Sequence, residues 1–439
     1  MTGNLPSDHP PLRPRDRNRR GEPPMRHAQL HSRHPFATVA KWLAAVVTVA
    51  AVSAASVASF AIYDTVSSIK PGIHLAALPG TKVQKVPDIG AIEGGVNLLL
   101  VGTDTRTGQA GVTKSDLAGS SGAGNNDVTM LLHISADHTN AVVVSIPRDL
   151  IVPVPACGNR PGASQVMFNS TLARGGLSCT VLTVEKMTGV NIPYAAEISF
   201  DGVVGMSNAV GGVPVCIATA VNDRFDGLSL AAGEHVIQGE TALAFVRSRH
   251  GVGDGSDLGR ISNQQVFLSS LMRKITSGGV LSNPITLYSL AKAAIANMQL
   301  SDGLTRPTNL VAIALALKDI GLGNMVFLQY PAISDPTNPN RVVPQTSSAL
   351  VLNAALRNDQ PVALTGKTGR AAVLNPTQQS AAPGSTATPP PSASGAATPA
   401  PSAAVPAPGG ATPAPSVVAL PSDISGQTAS QQTCTKGNN

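Results

Sequence analysis

The longest apolar stretch of the chain lies near its N-terminus. Residues 42–63 read WLAAVVTVAAVSAASVASFAIY, twenty-two positions without a charge. As a helix this stretch would rise about 33 Å, which matches the roughly 30 Å hydrocarbon core of a bilayer. The pattern predicts a single transmembrane helix, with Trp42 and Tyr63 at the positions that interfacial aromatic side chains favour.

Basic residues are concentrated before this stretch and set its expected orientation. The residues that precede it carry a formal charge of +5, whereas everything after it sums to only +1. The positive-inside rule therefore keeps the N-terminus in the cytoplasm and exports the rest of the chain. A cleavable signal peptide is the competing interpretation, but the long basic region and long apolar run favour a retained anchor. The nearly neutral exported part argues against nucleic acid as a partner.

Beyond the membrane segment, apolar runs alternate with helical patterns, which is typical of a mixed α/β fold. Runs at 97–101, 128–134 and 141–146 predict strands that are buried on both faces, and 325–330 predicts a last strand. Helices are predicted at 166–174, 180–187, 200–210, 240–246, 261–275, 284–297 and 310–317. The Gly-, Ser-, Thr- and Asn-rich segment 105–126 is predicted to be a flexible flap.

Composition limits how much of the chain can fold. Residues 371–422 are dominated by Ala, Pro, Ser, Thr and Gly and carry no charge, so we expect a flexible linker there. The expected organisation is a basic cytoplasmic arm (1–41), a transmembrane signal anchor (42–63), a juxtamembrane spacer (64–95), a catalytic domain with a C-terminal extension (96–370), the linker (371–422) and a short C-terminal segment (423–439).

All four cysteines follow the membrane segment, on the side where disulfides persist. A bond between Cys157 and Cys179 is predicted, and its loop of about two dozen residues makes it worth roughly 3 kcal/mol in the chain-entropy model. A bond between Cys216 and Cys434 would attach the C-terminal segment to the folded domain. A small buried thiol at Cys216 is an equally weighted interpretation, and both stay open.

Charged residues are scarce and fall in clusters that interrupt the apolar runs. The clusters read GTDTR, NND, SIPRDL, VRSRH and GDGSDLGRISNQQ. Paired carboxylates at Asp104 and Asp127 suit Mg²⁺, which takes one or two carboxylates together with substrate phosphate oxygens. The guanidinium fork of arginine matches phosphate oxygens. Any one of these residues is more simply explained by an ion pair, but together they predict a pyrophosphate site.

The same segments carry a resemblance to a known family. In order, NLLLVGTDTR, DVTMLLHIS, VVVSIPRDL, TVEKMTGVNI, FDGVVGMSNAVGGVPV, LSLAAGEHVIQGETALAFVRSRH and SDLGRISNQQVFLSSL resemble the LytR-CpsA-Psr family over about residues 95–275. The resemblance implies an extracytoplasmic α/β/α body with a central mixed sheet and an apolar lipid pocket. It also implies a membrane-anchored enzyme that transfers a glycopolymer from a polyprenyl-pyrophosphate carrier to the muramic acid 6-hydroxyl of peptidoglycan.

The resemblance also implies roles for particular residues. Asp104 and Asp127 correspond to the family's ligands for Mg²⁺ or Mn²⁺. The phosphate-binding positions correspond to Arg148, Arg247, Arg249, Arg260 and Gln264, and Asp257 precedes the last of these motifs. Partners are then the polyprenyl-pyrophosphate-linked glycan, peptidoglycan and membrane lipid. Asp149 and Asp257 are both candidates for the base that receives the acceptor proton, and the choice stays open.

Two positions depart from the family pattern. Many members carry arginine where this chain has Asn125 and Asn263, so the site has fewer cations, and Arg106 is a candidate replacement.

Two other functions also stay open. A lipid pyrophosphatase would use the same cluster with water as acceptor, and a non-enzymatic wall-binding or regulatory protein would need no turnover. The identity of the glycopolymer is not determined by these motifs.

Overall fold

The computed structural model describes residues 35–67, 71–76, 94–107, 109, 124–277, 293–296, 298–305, 307–375 and 416–438. Five predicted features lie largely outside this range: the cytoplasmic arm, the juxtamembrane spacer, the flap, the centre of the linker and the helix at 284–297. The chain divides into two units, Met1–Tyr63 and Asp64–Asn439.

The first helix, α1, spans Pro35–Ser67 and includes the predicted membrane segment. Its described apolar side chains are exposed, with Trp42 at 71% and Val46 at 62%. Within the described part of the chain, no helix combines the length and the hydropathy needed to cross a membrane. The membrane anchor stays a prediction.

Six further α-helices are described in the second unit. They are α2 (Thr171–Thr188), α3 (Phe200–Ala209), α4 (Gly239–Arg247), α5 (Asp257–Ser277), α6 (Pro307–Asp319) and α7 (Thr346–Arg357). The strands are β1 (Val96–Thr103), β2 (Asn126–Ile134), β3 (Ala141–Ser145), β4 (Ile151–Val154), β5 (Ala163–Met167), β6 (Tyr194–Ile198), β7 (Val213–Ile217), β8 (Val221–Asp223), β9 (Leu228–Leu230), β10 (Gly233–Ile237), β11 (Met298–Leu300), β12 (Met325–Gln329), β13 (Ala332–Asp335), β14 (Asn338–Pro344), β15 (Val362–Ala363), β16 (Ala372–Leu374), β17 (Val418–Ala419), β18 (Gly426–Thr428) and β19 (Thr433–Thr435).

A seven-stranded mixed sheet forms the centre of the second unit, in the order β11-β6-β1-β2-β3-β12-β18. Strands β1, β2 and β3 are antiparallel neighbours, while β6 runs parallel to β1 and β12 runs parallel to β3. The four strands predicted from continuous apolar runs are β1, β2, β3 and β12, and the prediction of a central mixed sheet is confirmed.

Alternate side chains of the strands pack into two separate cores, because successive residues of a strand point to opposite faces. On one face, Leu99 and Leu131 belong to a core that includes Val184 of α2 and Leu352 of α7. On the other face, Leu98 and Leu132 join a core with Ile313 of α6, and Leu268 of α5 packs against it. Helices therefore cover both faces of the sheet.

A second sheet, in the order β10-β7-β19-β16, packs beside α4 and α5. Strand β16 comes from residues 371–422, which composition predicted to be a linker, and β19 comes from the C-terminal segment. β16 and β17 flank the linker, so the prediction that all of 371–422 is a linker is wrong at both ends. Long-range pairing stabilises these short strands, since β16 pairs with β19 and β17 with β15.

The predicted helix at 166–174 begins too early. Val166 and Met167 instead pair with β4 in the β4–β5 hairpin, and α2 begins at Thr171. Gly175 and Gly176 interrupt the helix with non-helical backbone. A Cβ at Gly175 would lie 2.9 Å from the Cys157 Cβ, so the backbone approaches the disulfide too closely for any larger residue.

Both possible disulfides are present. Cys157 pairs with Cys179, as predicted, and the bond connects the loop after β4 to α2. Cys216 pairs with Cys434, so the C-terminal segment is covalently attached to the body. This second bond joins residues that are also neighbours across the parallel β7–β19 pair.

Candidate active site

The predicted site residues collect at one edge of the central sheet. Strands β1, β3, β6 and β12 all end at this edge, because they run in the same direction, and antiparallel β2 begins there. Asp127 lies at the start of β2, and Arg148 and Asp149 follow the end of β3. Ligand sites of α/β proteins commonly lie beyond the carboxyl ends of the parallel strands.

Five of the predicted residues form one ion network. Arg148 lies at its centre, with an Nη1 2.7 Å from Asp127 and an Nε 3.8 Å from both Asp149 and Asp257. Arg260 contacts Asp257 at 2.6 Å and donates a hydrogen bond of 2.8 Å to the Asp127 backbone carbonyl. Residues from β2, the β3 end and α5 are thus connected through alternating charges.

The carboxylates around Arg148 favour the protonated form of its guanidinium. Burial on its own would lower the pKa of the guanidinium, but Asp127, Asp257 and Asp149 together raise the pKa above its ordinary value. The Arg148 Nε is buried and has no hydrogen-bond partner among the described residues. Arg148 is therefore a fixed cation at the centre of the network.

The two predicted metal ligands lie at the same end of the β1–β2 pair. Asp104 accepts hydrogen bonds from the Asn125 backbone N–H at 2.5 Å and from the Asn125 side chain at 3.3 Å. Across the described residues, no group of three or more His, Cys, Asp or Glu side chains could hold a metal. Two carboxylates are nevertheless a ligand set that Mg²⁺ accepts, because it completes its coordination with water and substrate oxygens.

A second ion pair lies beside this network. The Arg247 guanidinium at the end of α4 is 3.5 Å from Asp226, and it stacks 4.5 Å above the ring centre of Phe200. Burial raises the pKa of Asp226, and the charges of Arg247 and Arg260 only partly offset this effect. A cleft of about 220 Å³ runs from this pair along α4. Arg247 thus presents its charge to a small polar cleft.

Asp223 organises the backbone around Arg249, and the sequence patterns did not identify it. Its side chain accepts hydrogen bonds from the Ser248 hydroxyl and from the backbone N–H groups of Phe225, Arg249 and Gly251. Burial would raise the pKa of Asp223, but these hydrogen bonds hold it below its ordinary value. The Arg249 Nε is itself buried without a hydrogen-bond partner in the described structure.

Replacing Asp223 by asparagine should lower turnover at this site by about tenfold, because an amide nitrogen cannot accept the hydrogen bonds that fix the turn carrying Arg249. Initial rates of turnover would measure the effect. Asp137→Asn is a matched control, since Asp137 caps a turn between β2 and β3 at the opposite edge of the sheet. Equal rates for Asp223→Asn and Asp137→Asn would contradict a positioning role.

Asn263 and Gln264 face the protein interior. The Asn263 amide donates to the Phe245 carbonyl at 2.5 Å and accepts from the Thr435 hydroxyl at 2.7 Å. Gln264 donates to the Val246 carbonyl at 3.0 Å. Both side chains are buried and hold the end of α4, just before Arg247, so Gln264 acts on the site through the backbone.

Two more arginines, Arg106 and Arg341, lie at the same edge of the sheet as the ion network. Arg106 is exposed on the turn after β1. Arg341, which the sequence analysis did not single out, places Nη1 3.4 Å from Asp149. It lies on the β13–β14 hairpin, 192 residues beyond Asp149, and no motif surrounds it.

A larger cleft of about 620 Å³ includes Val326 and Val362, by the beginning of β12 and away from the ion network.

Comparison with known proteins identifies a family. The model of the LytR_cpsA_psr family matches residues 63–357. The cell wall biosynthesis protein LcpA of Corynebacterium glutamicum is 30% identical over 275 residues, covering 57% of this chain and 52% of LcpA. The polyisoprenyl-teichoic acid–peptidoglycan teichoic acid transferase TagT of Bacillus subtilis is 28% identical, covering 54% of this chain and 71% of TagT. The chain thus spans about half the length of LcpA.

Solved structures of similar proteins were also found. A LytR-Csp2A-Psr enzyme from Actinomyces oris is 23% identical with a TM-score of 0.48, covering 66% of this chain and 96% of that structure. The B. subtilis protein YwtF (TagT) with bound octaprenyl pyrophosphate lipid is 20% identical with a TM-score of 0.45, covering 65% of this chain and 98% of that structure.

Proposed function

The chain belongs to the LytR-CpsA-Psr family, and from this premise we propose that it transfers a glycopolymer from a polyprenyl-pyrophosphate carrier to the muramic acid 6-hydroxyl of peptidoglycan. The ion network around Arg148 carries the proposal, since it gathers guanidinium groups, whose fork matches phosphate oxygens, at one end of the central sheet. A relative named as a teichoic acid transferase supports the same reaction class.

Location at a membrane is part of the proposal. The uncharged segment 42–63 would anchor the chain, with its N-terminus in the cytoplasm and the second unit outside. A lipid-linked donor also lies in the bilayer, so an anchored enzyme would meet it by diffusion in two dimensions. A membrane anchor and a pyrophosphate site are therefore both explained by a lipid-linked donor.

Arginines would bind and stabilise the pyrophosphate. Arg148 and Arg260 are the arginines at the centre of the ion network, and their side chains are 23% and 8% exposed. In such a poorly solvated site, each guanidinium stabilises charge on the leaving polyprenyl phosphate more strongly than it would in water. Arg247 lines the neighbouring cleft, and together with Arg249 it would contact the glycan-bearing phosphate.

Asp104 and Asp127 would hold Mg²⁺ or Mn²⁺ beside the phosphates. An ion bound there would supply Lewis-acid stabilisation of the phosphate oxygens. Asn125 already orients the Asp104 carboxylate through two hydrogen bonds, and Arg148 orients Asp127. The two ligands are thus held in place by their neighbours.

The chemical step breaks one bond and forms another. The acceptor hydroxyl oxygen forms a new bond to the glycan-bearing phosphorus as the bond from that phosphorus to the bridging oxygen breaks. The bridging oxygen keeps the electron pair and leaves on polyprenyl phosphate. The hydroxyl proton passes to a carboxylate, for which Asp149 and Asp257 are the available groups at the network.

Purified full-length protein in detergent should form a glycan–peptidoglycan phosphodiester when given a synthetic polyprenyl-pyrophosphate glycan, Mg²⁺ and peptidoglycan fragments. Mass spectrometry of the fragments would detect the adduct. The reaction should be run in ¹⁸O-labelled water, because hydrolysis places the label in released glycan phosphate and transfer to a sugar hydroxyl does not.

The same assay separates the competing functions. Fragments lacking the muramic acid 6-hydroxyl are the control and should yield no adduct. Release of ¹⁸O-labelled glycan phosphate without any adduct would identify a pyrophosphatase instead. Donor binding with no turnover of any kind would identify a wall-binding or regulatory protein and would refute the transferase.

A further inference from the structure

The β13–β14 hairpin brings an additional arginine to the ion network. The hairpin follows the end of β12, at the same sheet edge as Arg148. The Val342 backbone N–H donates to the Asp149 carbonyl at 3.3 Å, and Leu150 and Val342 form an isolated parallel bridge. The hairpin backbone is therefore fixed beside Asp149. Arg341 directly precedes Val342, so its side chain starts close to Asp149.

Arg341 differs from the other two arginines in how it is held. Arg148 and Arg260 contact carboxylates at 2.7 and 2.6 Å, whereas the Arg341 Nη1 is 3.4 Å from the Asp149 Oδ1. Its side chain is also the most exposed of the three, at 34%. A long, partly solvated ion pair is a weak one, so Arg341 loses little when it leaves its carboxylate.

The charge balance of the network makes such an exchange useful. Three arginines face three aspartates, so the network has no net charge: Arg148, Arg260 and Arg341 with Asp127, Asp149 and Asp257. Binding of an anionic ligand is favoured when a guanidinium gives up its carboxylate, because that guanidinium can then pair with a phosphate oxygen. The structure favours Arg341 for this role, because its pair with Asp149 is the longest of the three primary contacts.

We propose that Arg341 is a further phosphate-binding residue, and that it exchanges the Asp149 carboxylate for a phosphate oxygen of the donor. The exchange frees Asp149 to receive the proton of the acceptor hydroxyl. Asp257 is less suited to that role, since it is 7% exposed and 2.6 Å from Arg260. This inference rests on the proposed function and names one base within it.

Binding of geranyl pyrophosphate, a soluble prenyl pyrophosphate, tests the assignment without any transfer step. Isothermal titration of the full-length protein with Mg²⁺ present should give a Kd about tenfold higher for Arg341→Ala, because a charge-assisted hydrogen bond is lost. Arg341→Lys keeps the charge without the fork and should fall between the two. Arg357→Ala is the matched control, since the exposed Arg357 bonds the Thr188 carbonyl at the far edge of the sheet.

Asp149→Asn supplies the second measurement. It removes the carboxylate that competes for Arg341, so geranyl pyrophosphate should bind at least as tightly while glycan transfer is lost. A merely structural Asp149 would instead weaken binding and turnover together. Added guanidinium ion should partly restore binding to Arg341→Ala, and it should leave Arg357→Ala unchanged.

The outcomes distinguish this inference from the transferase proposal. If Arg341→Ala binds geranyl pyrophosphate as tightly as the wild type, or if the wild type does not bind it, Arg341 is not a phosphate ligand. A wild-type protein that binds the probe but forms no peptidoglycan adduct refutes the transferase while the Arg341 measurement stands.

Discussion

Replacing Arg148 by alanine should lower the rate of glycan transfer at least a hundredfold while the protein remains folded. Removal of a single group that stabilises developing charge typically costs about 10² to 10³ in turnover. Arg148 contacts three carboxylates, and its loss leaves those carboxylates facing the incoming pyrophosphate with two guanidinium groups instead of three. Carboxylates that repel the donor and weaker stabilisation of the charge on the leaving phosphate would therefore both lower the rate of transfer.

Arg148→Lys separates charge from geometry. Lysine restores a cation but cannot contact two oxygens with a planar fork, so transfer should recover only in part. Initial rates with a labelled donor, paired with thermal melts, would measure both activity and folding. Arg357→Ala is the control for loss of an arginine elsewhere, and a normal rate for Arg148→Ala would remove Arg148 from the site.

The central part of the fold could be predicted because its signals are local. Strands β1, β2 and β3 are continuous apolar runs, and burial on both faces of a sheet produces this pattern. The charges that interrupt those runs, at Asp127 and Arg148, necessarily lie at strand ends. The apolar runs therefore predict that these charged residues lie where the strands end or begin.

Other parts of the site have no local signal. Arg341 reaches Asp149 through a hairpin 192 residues later, and Asp223 acts on Arg249 through hydrogen bonds between separate elements. Strands β18 and β19 are three residues each, GQT and TCT, too short for hydrophobic periodicity to indicate. Tertiary pairing creates all of these features, so residue pattern alone could not reveal them.

Breaking the Cys216–Cys434 disulfide should destabilise the body more than breaking the Cys157–Cys179 disulfide. The two bonds span sequence separations of 218 and 22 residues. In the chain-entropy model these separations correspond to about 5 and about 3 kcal/mol of unfolding free energy. Since total stabilities are about 5 to 15 kcal/mol, the larger loss removes a substantial part of the stability.

Urea unfolding of full-length Cys216→Ala/Cys434→Ala, compared with Cys157→Ala/Cys179→Ala, would measure the difference. Alanine is chosen because Cys157, Cys179 and Cys434 are buried and a hydroxyl there would add an unsatisfied polar group. Reduction of the wild type should lower its urea midpoint toward those of the variants. An unchanged midpoint for Cys216→Ala/Cys434→Ala would show that strand pairing alone holds the C-terminal segment.

Loss of this disulfide should also weaken donor binding, because the C-terminal segment contacts the backbone that carries the arginines. The Asn438 backbone N–H donates to the Gly251 carbonyl, and the Gly253 backbone N–H donates to the Lys436 carbonyl. Thr435 in turn bonds Asn263, which holds the end of α4. A higher Kd for geranyl pyrophosphate in Cys216→Ala/Cys434→Ala, but not in Cys157→Ala/Cys179→Ala, would attribute this effect to the segment rather than to general destabilisation.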